Sequence, residues 1–315
     1  MTVAWVLGST GLLGSALCRV LRSHDTPLFS PTQRLQWEHE AELGTQLATA
    51  VQEFSHRVRE EESWEIYWAA GVGTFSSAPS DLVLETQTLA LLLRSIEMRS
   101  ELATRSGAVA FASSAGAIYA GSRDEVINEY TEPAPTTAYA HEKLKQEELV
   151  KSFALNKLQM RALLARISTI YGPGQATGKQ QGLLAHIARC TVRNEPIQIY
   201  VPYDTIRDYI AVDDAAAVMV ESLRSTNAQD GVRTKIVASE RPTTIAEIVS
   251  VFKRVSRRAP KVVTSANKLS SLYSRRVQFR SSVMPESSPL SKTSLLIGIA
   301  QVMAAERAAF ARGPY

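Results

Sequence analysis

The chain has 315 residues, 45% of them hydrophobic and 21% charged, enough for one large or two modest domains with real cores and unlike a disordered or fibrous chain. Thirty-five basic against 31 acidic residues give a net charge of +4, which suits an anionic small molecule and is too thin for a nucleic-acid surface. Cys18 and Cys190 lie far apart among apolar neighbours, the five histidines lack metal-ligand spacing, and no apolar run reaches membrane-spanning length. Two free thiols in a reducing, cytoplasmic compartment, with no metal and no membrane partner, are therefore expected.

The opening TVAWVLGSTGLLGSALCRVL reads as an apolar strand, a turn with Gly8, Gly11 and Gly14, and a helix carrying Leu13, Leu17 and Val20 on one face. TPLF predicts a short strand, and the three- and four-residue steps of Leu43, Leu47, Val51, Phe54 and Val58 predict a helix from about His39 to Val58. EIYWAA is a buried strand running into Ala69, Ala70 and Gly71, LVLETQTLALLLRSI a strongly apolar helix, and GAVAFASS the next strand. Pro133 and Pro135 keep the chain extended before a threonine-capped helix, and QMRALLARISTIYG is one more buried strand. This alternation predicts an α/β fold, a doubly wound parallel Rossmann-type sheet whose ligand crevice lies at the carboxyl ends of the strands.

Beyond Tyr171 come a glycine-rich loop GPGQATGKQQG, a helix to about Arg193, and strand-like pieces within PIQIYVPYDTIRDYIAV. Asp213 and Asp214 read as acids opening a helix rather than metal ligands, and TKIVAS as a last sheet strand. Helices around Ile245 to Val255 and Leu290 to Phe310 flank a basic stretch with Arg275, Arg276 and Arg280. The expected division is a dinucleotide-binding domain of residues 1–171 plus about 206–240, and a smaller α+β substrate lobe of 172–205 plus about 241–315.

The glycine turn, Gly8-Ser9-Thr10-Gly11-Leu12-Leu13-Gly14, has the chemistry of a diphosphate cradle. Glycines permit a sharp bend and close backbone approach, and the following helix offers unpaired N–H groups and the positive end of its dipole. On the glycines alone an ordinary strand-helix connection is equally good. Tyr139 and Lys143 change that balance: four apart on a helix, they lie on one face, and Ser113 and Ser114 precede them at a strand end. An unperturbed phenol, with a pKa of about 10, is a poor base at neutral pH. An ammonium about 4 Å away in an effective dielectric near 20 would lower it by roughly 4 kcal/mol, about three units, close to neutrality.

These segments resemble one family, the extended short-chain dehydrogenase/reductases, in particular the NAD-dependent epimerase/dehydratase group acting mainly on nucleotide sugars. The resemblance is carried by GSTGLLG at 8–14, WAAG at 68–71, FASSAGAIYAG at 111–121, Tyr139-x-x-x-Lys143, RISTIYGPG at 166–174 and RDYIAVDDAA at 207–216. It implies Tyr139 as acid/base, Lys143 as its partner and ribose ligand, Ser114 as the hydroxyl on the reacting oxygen, and residues 8–14 with Ala69, Ala70 and Gly71 against the cofactor. It further implies Thr169, Arg207 and Arg280 as substrate contacts, and a homodimer built through two helices of the dinucleotide domain.

The departures narrow the chemistry. The acid that usually ends the second strand in NAD-specific members is missing from LFSPTQRL, where Ser30 and Arg34 suit the extra phosphate of NADP; NAD is the alternative. Ala115 and Gly116 stand where family dehydratases carry an Asp-Glu pair, and AGAIY lacks the cysteine of the fucose-forming epimerase-reductases. Thr169 replaces a substrate-binding asparagine, and Gln87 another asparagine. An NAD(P)-dependent epimerase or reductase acting on a nucleotide sugar is the expectation. An NADP-linked carbonyl reductase of non-nucleotide substrates and a non-catalytic dinucleotide sensor or scaffold are the competing ones.

Overall fold

The computed structural model describes residues 1–37, 40–71, 73, 77–155, 160–175, 182–226, 231–257, 260–264, 276–283 and 292–313. In chain order the elements are β1 (Thr2–Leu7), α1 (Leu12–Ser23), β2 (Leu28–Phe29), α2 (Glu40–Val58), β3 (Ser63–Trp68), α3 (Pro79–Glu97), α4 (Ser100–Ala103), β4 (Ser106–Ser114), α5 (Ala115–Ile118), α6 (Ala138–Leu155) and β5 (Met160–Ile167). There follow β6 (Thr169–Tyr171), α7 (Leu183–Arg193), β7 (Ile197–Ile199), β8 (Ile206–Ala211), α8 (Val212–Arg224), β9 (Val232–Val237), β10 (Pro242–Thr244), α9 (Ile245–Ser256), β11 (Val262–Thr264) and α10 (Leu295–Ala311).

The chain divides into two compact units: Met1–Ile118 with Pro135–Arg166 and Ala216–Lys235, and Tyr119–Ala134 with Ile167–Ala215 and Ile236–Tyr315. The first is built on a six-stranded sheet of order β2-β1-β3-β4-β5-β9, with β2, β1, β3 and β4 paired in parallel. A parallel strand covered on both faces must be apolar throughout, and five of the six residues of β1 and of β3 are buried. Helix α2 presents Leu43, Leu47, Val51, Phe54 and Val58 to this core, where Phe54 meets Trp5 at 5.4 Å and Phe29 at 5.1 Å between ring centroids. The buried indole of Trp64 keeps its N–H satisfied by donating to Leu102 O at 3.1 Å.

The second unit holds a three-stranded sheet, β10-β8-β6, and the pair β11-β7, with a core that joins α7, α9 and α10 through residues such as Leu184, Ile187, Phe252, Ile299 and Val302. Asp213 and Asp214 do lie in the first turn of α8, and Asp214 also accepts from the N–H and hydroxyl of Thr293. Two expectations are corrected in this region. QMRALLARISTIYG is two strands in separate sheets, broken at Ser168, whose N–H donates to Val237 O at 2.9 Å while its hydroxyl donates to Asp208 at 2.6 Å. The last helix begins at Leu295, five residues later than its apolar pattern indicates, with Ser294 accepting from the N–H of Ile297 as its cap. His39, Arg275, Leu290 and residues 176–181 of the glycine-rich loop lie outside the described residues. No helix among the described residues is long and apolar enough to cross a membrane.

Candidate active site

Strand order places the site. β2 and β3 flank β1 on opposite sides, so the chain leaves β1 in one direction and returns on the other, making a topological switch point at the carboxyl ends of β1 and β3. The turn after β1 is sterically dictated. Gly8 has φ +83°, and a Cβ there would stand 2.7 Å from the backbone of Ala69 and Ala70. A Cβ on Gly14 would fall 2.0 Å from Gly8 O, so helix α1 can pack on the turn only with glycine at that place. Ser9, Thr10 and Gly11 are exposed, Leu12 is half-buried and Leu13 buried; Gly11, the N-cap of α1, brings no side-chain hydrogen bond, and the first turn carries no acid. Uncapped N–H groups beside bare backbone, with no opposing charge, fit the diphosphate of a dinucleotide. The turn after β3 completes this rim: Ala69 donates to Leu7 O at 3.0 Å, Ala70 is half-buried, and Gly71 is exposed at φ +148°.

Strand β4 ends at Ser114, and Thr137 caps α6 by accepting from the N–H of Ala140, which sets Tyr139 and Lys143 within the first two turns. Tyr139 is hydrogen-bonded to Ser114. Ser114 Oγ also accepts from the N–H of Ala117 at 3.4 Å, at the edge of hydrogen-bond reach. The Lys143 ammonium is buried, donates to Gln146 Oε1 at 3.0 Å, and lies 5.7 Å from the Tyr139 ring centroid and 5.1 Å from that of Phe111.

The expected depression of the phenol is not what this arrangement produces. Burial pushes Tyr139 up to about 12, the Glu85 carboxylate pushes in the same direction, and only the bond to Ser114 opposes them. The ammonium sits by the ring and is turned to an amide oxygen. Lys143 itself is lowered by burial, against the carboxylates of Glu85 and Glu147, which favour its charged form.

The remaining sequence-derived residues fall into two groups. Ser30 and Arg34 are exposed just past β2, in the first unit, and Gln87 is exposed on α3. Thr169, exposed on β6, Arg207, half-buried on β8 and donating to Ile206 O, and Arg280, exposed and donating its N–H to Ile127 O at 2.9 Å, all belong to the second unit. Sequence reasoning missed a polar layer under the site. Glu147, buried, accepts from Ser113 at 2.6 Å and pairs bidentately with the buried Arg166, and Glu85 accepts from the N–H of Gly73. Signals for both were present: Glu147 falls eight residues after Tyr139 on the same helix face, and Glu85 is the lone acid of an apolar helix segment, Leu82 to Ile96.

The family model described as "NAD dependent epimerase/dehydratase family" matches residues 4–236. The chain belongs to this family. Within the epimerase/dehydratase family it is similar to the dTDP-L-rhamnose 4-epimerase of Burkholderia thailandensis, 33% identical over 94 residues, 30% of this chain and 26% of that protein. It is also similar to the dTDP-4-dehydro-6-deoxyglucose reductase of Escherichia coli, 29% identical over 122 residues, 39% of this chain and 38% of that protein. The matched segments thus span well under half the length of either relative. The solved UDP-glucose 4-epimerase of Thermus thermophilus, in complex with NAD, has a TM-score of 0.79 at 18% identity, covering 98% of this chain and 100% of that one. That likeness is one of fold, the Rossmann-type sheet of the epimerase/dehydratase family.

Proposed function

We propose that this chain is an NAD(P)-dependent epimerase or reductase that moves hydride reversibly at a carbinol or ketone carbon of a nucleotide sugar. One observation carries this reading: Tyr139 hydrogen-bonded to Ser114, with Lys143 one helical turn further on, in the same unit as the glycine cradle. The two relatives named above, an epimerase and a reductase of dTDP-linked sugars, agree with it.

The cradle residues Gly8 to Gly14, with Ala69, Ala70 and Gly71, would hold the dinucleotide, and when bound its nicotinamide ring supplies or accepts the hydride. A phenol held near 12 keeps its proton at neutral pH and serves as a general acid, donating that proton to a ketone oxygen as the carbon is reduced. The Ser114 hydroxyl, bonded to Tyr139, orients the phenol and presents a second polar group at the reacting oxygen. Lys143 places a positive charge against the ring, favouring the phenolate left behind.

Ser30 and Arg34, both exposed beyond β2, support NADP as the dinucleotide. Thr169, Arg207 and Arg280 are the proposed substrate contacts, and the first unit, with its glycine cradle, the proposed dinucleotide domain. Two buried free cysteines are in keeping with a reducing cytoplasmic location, and a homodimer follows by analogy with the family. Mass spectrometry of the purified protein for retained nucleotide, followed by a panel of dTDP- and UDP-linked sugars scored for cofactor oxidation or reduction and for isomer exchange, tests the proposal. Retained NAD with isomer exchange assigns an epimerase, exchangeable NADPH with ketone reduction a reductase, and no dinucleotide binding at all contradicts both.

A further inference from the structure

The buried Lys143 ammonium needs a counter-charge, because an isolated cation in a protein interior is far less stable than in water. Two carboxylates act on it, Glu85 from α3 and Glu147 from its own helix. Glu147 is already matched by Arg166, which holds it bidentately, and by the hydroxyl of Ser113. Glu85 comes from the neighbouring helix and reaches the glycine turn after β3: one oxygen accepts from the N–H of Gly73 at 2.5 Å, and the other stands 3.2 Å from where a Cβ on Gly71 would be. The next residue, Thr86, also serves α6. Its hydroxyl accepts from Gln146 Nε2 at 3.0 Å, turning Gln146 Oε1 toward Lys143, and donates to Glu142 at 2.7 Å.

We infer that Glu85 is a positioning residue of this site, a single carboxylate that both holds Gly73 beside Gly71 and acts as counter-charge to the buried ammonium of Lys143. It couples the shape of the dinucleotide rim to the charge of the proton-handling helix. The other titratable groups around Lys143 are Tyr139, Glu147, and Glu142 with Lys145 and His141 on α6, and Arg166 on β5; β4 contributes the uncharged Phe111, Ser113 and Ser114. The inference rests on the hydride-transfer site proposed above, and its test separates the two.

Glu85→Gln removes the charge and keeps an acceptor for Gly73, Glu85→Ala removes both, and Glu85→Asp keeps both. With the full chain labelled at lysine 13Cε, and Lys143 assigned by its loss in Lys143→Arg, the titration midpoint of Lys143 is read by NMR without cofactor or substrate. Glu85→Gln is expected to lower that midpoint by about one unit, a tenfold weakening of the ammonium's hold on its proton. Glu85→Ala is expected to give the same shift with weaker NADP binding in addition, while Glu85→Asp leaves the midpoint within about 0.3 unit of wild type. An unmoved midpoint in Glu85→Gln overturns the inference, and if that variant fails to fold, a midpoint displaced downward by as much as one unit in Glu85→Asp overturns it instead. Full turnover by Tyr139→Phe would sink the hydride-transfer site and leave this titration standing. An inactive Tyr139→Phe beside an unmoved Lys143 would sink the role of Glu85 alone.

Discussion

The glycine turn and site helix of the first unit and the polar ties of the second fix their conformations over different ranges of sequence. In the first, the glycine turn and the helix that carries the site are set by near neighbours: Gly14 is compelled by a Cβ that would stand 2.0 Å from Gly8 O, and Tyr139, Lys143 and Glu147 share one helix face at four-residue spacing, although Arg224 also reaches Glu65 across 159 positions. In the second, polar ties join segments distant in sequence. Asp208, its pKa raised by burial against the bonds it accepts, is held by Ser168, by the N–H and hydroxyl of Ser239 and by the N–H of Arg241. Glu129 likewise accepts from Ile236, Ser281 and Ser282. Local necessity leaves a mark on neighbouring residues, whereas a tie across 31 or 152 positions leaves none.

Substitutions in each setting distinguish what near neighbours fix from what distant partners hold. The largest effect is expected from Tyr139→Phe, which removes the proposed proton carrier and should slow turnover by about 10²–10⁴-fold, with dinucleotide affinity unchanged in a direct binding titration. Next, Arg166→Ala strands the Glu147 carboxylate in the interior and should cost about 3–5 kcal/mol in denaturant unfolding; a loss like that of an exposed pair would show the buried couple to be incidental. Gly14→Ala should cost about 1–3 kcal/mol and weaken dinucleotide binding with it, because the new methyl meets backbone that cannot yield. Arg34→Ala should weaken NADP by roughly tenfold, about 1.4 kcal/mol, and NAD scarcely at all; an equal effect on both would remove Arg34 from the phosphate site.

The smallest effect concerns pH. Tyr139 is held near 12 in the folded chain, above the ordinary phenol value of about 10, so folding favours its protonated form. Its contribution is complete below pH of about 10 and is lost as pH rises toward 12. Wild type should therefore lose stability more steeply than Tyr139→Phe across that interval, measured by urea midpoints, and parallel curves would deny the phenol its buried setting.

The same contrast explains what was legible beforehand. The sheet, the glycine turn and the shared helix face of Tyr139 and Lys143 could be read because periodicity and fixed spacing encode them, whereas Ser114, hydrogen-bonded to Tyr139, was picked out by the family resemblance. The electrostatics could not: spacing alone places an ammonium near a phenol but does not say that it will face Gln146 and the ring of Phe111, so burial, invisible to spacing, reverses the expected direction of the shift. The break at Ser168 escaped for a similar reason, since Ala165 and Ile167 continue the buried strand on either side of Arg166 and the groups that hold Ser168, on Val237 and Asp208, lie far on in the chain. Glu85 is visible as an unusual acid in an apolar helix, yet its partner Gly73, twelve positions back, is specified by no pattern.

The most direct test of the central claim follows a labelled hydride. Reduced dinucleotide carrying deuterium at its transferable position is incubated with wild type and with a panel of keto sugars linked to dTDP or UDP, and the products are analysed by mass spectrometry. Deuterium is expected in the sugar of at least one product with wild type and in none with Tyr139→Phe. A dinucleotide that binds and a sugar that is turned over, with the label never leaving the dinucleotide, would contradict it.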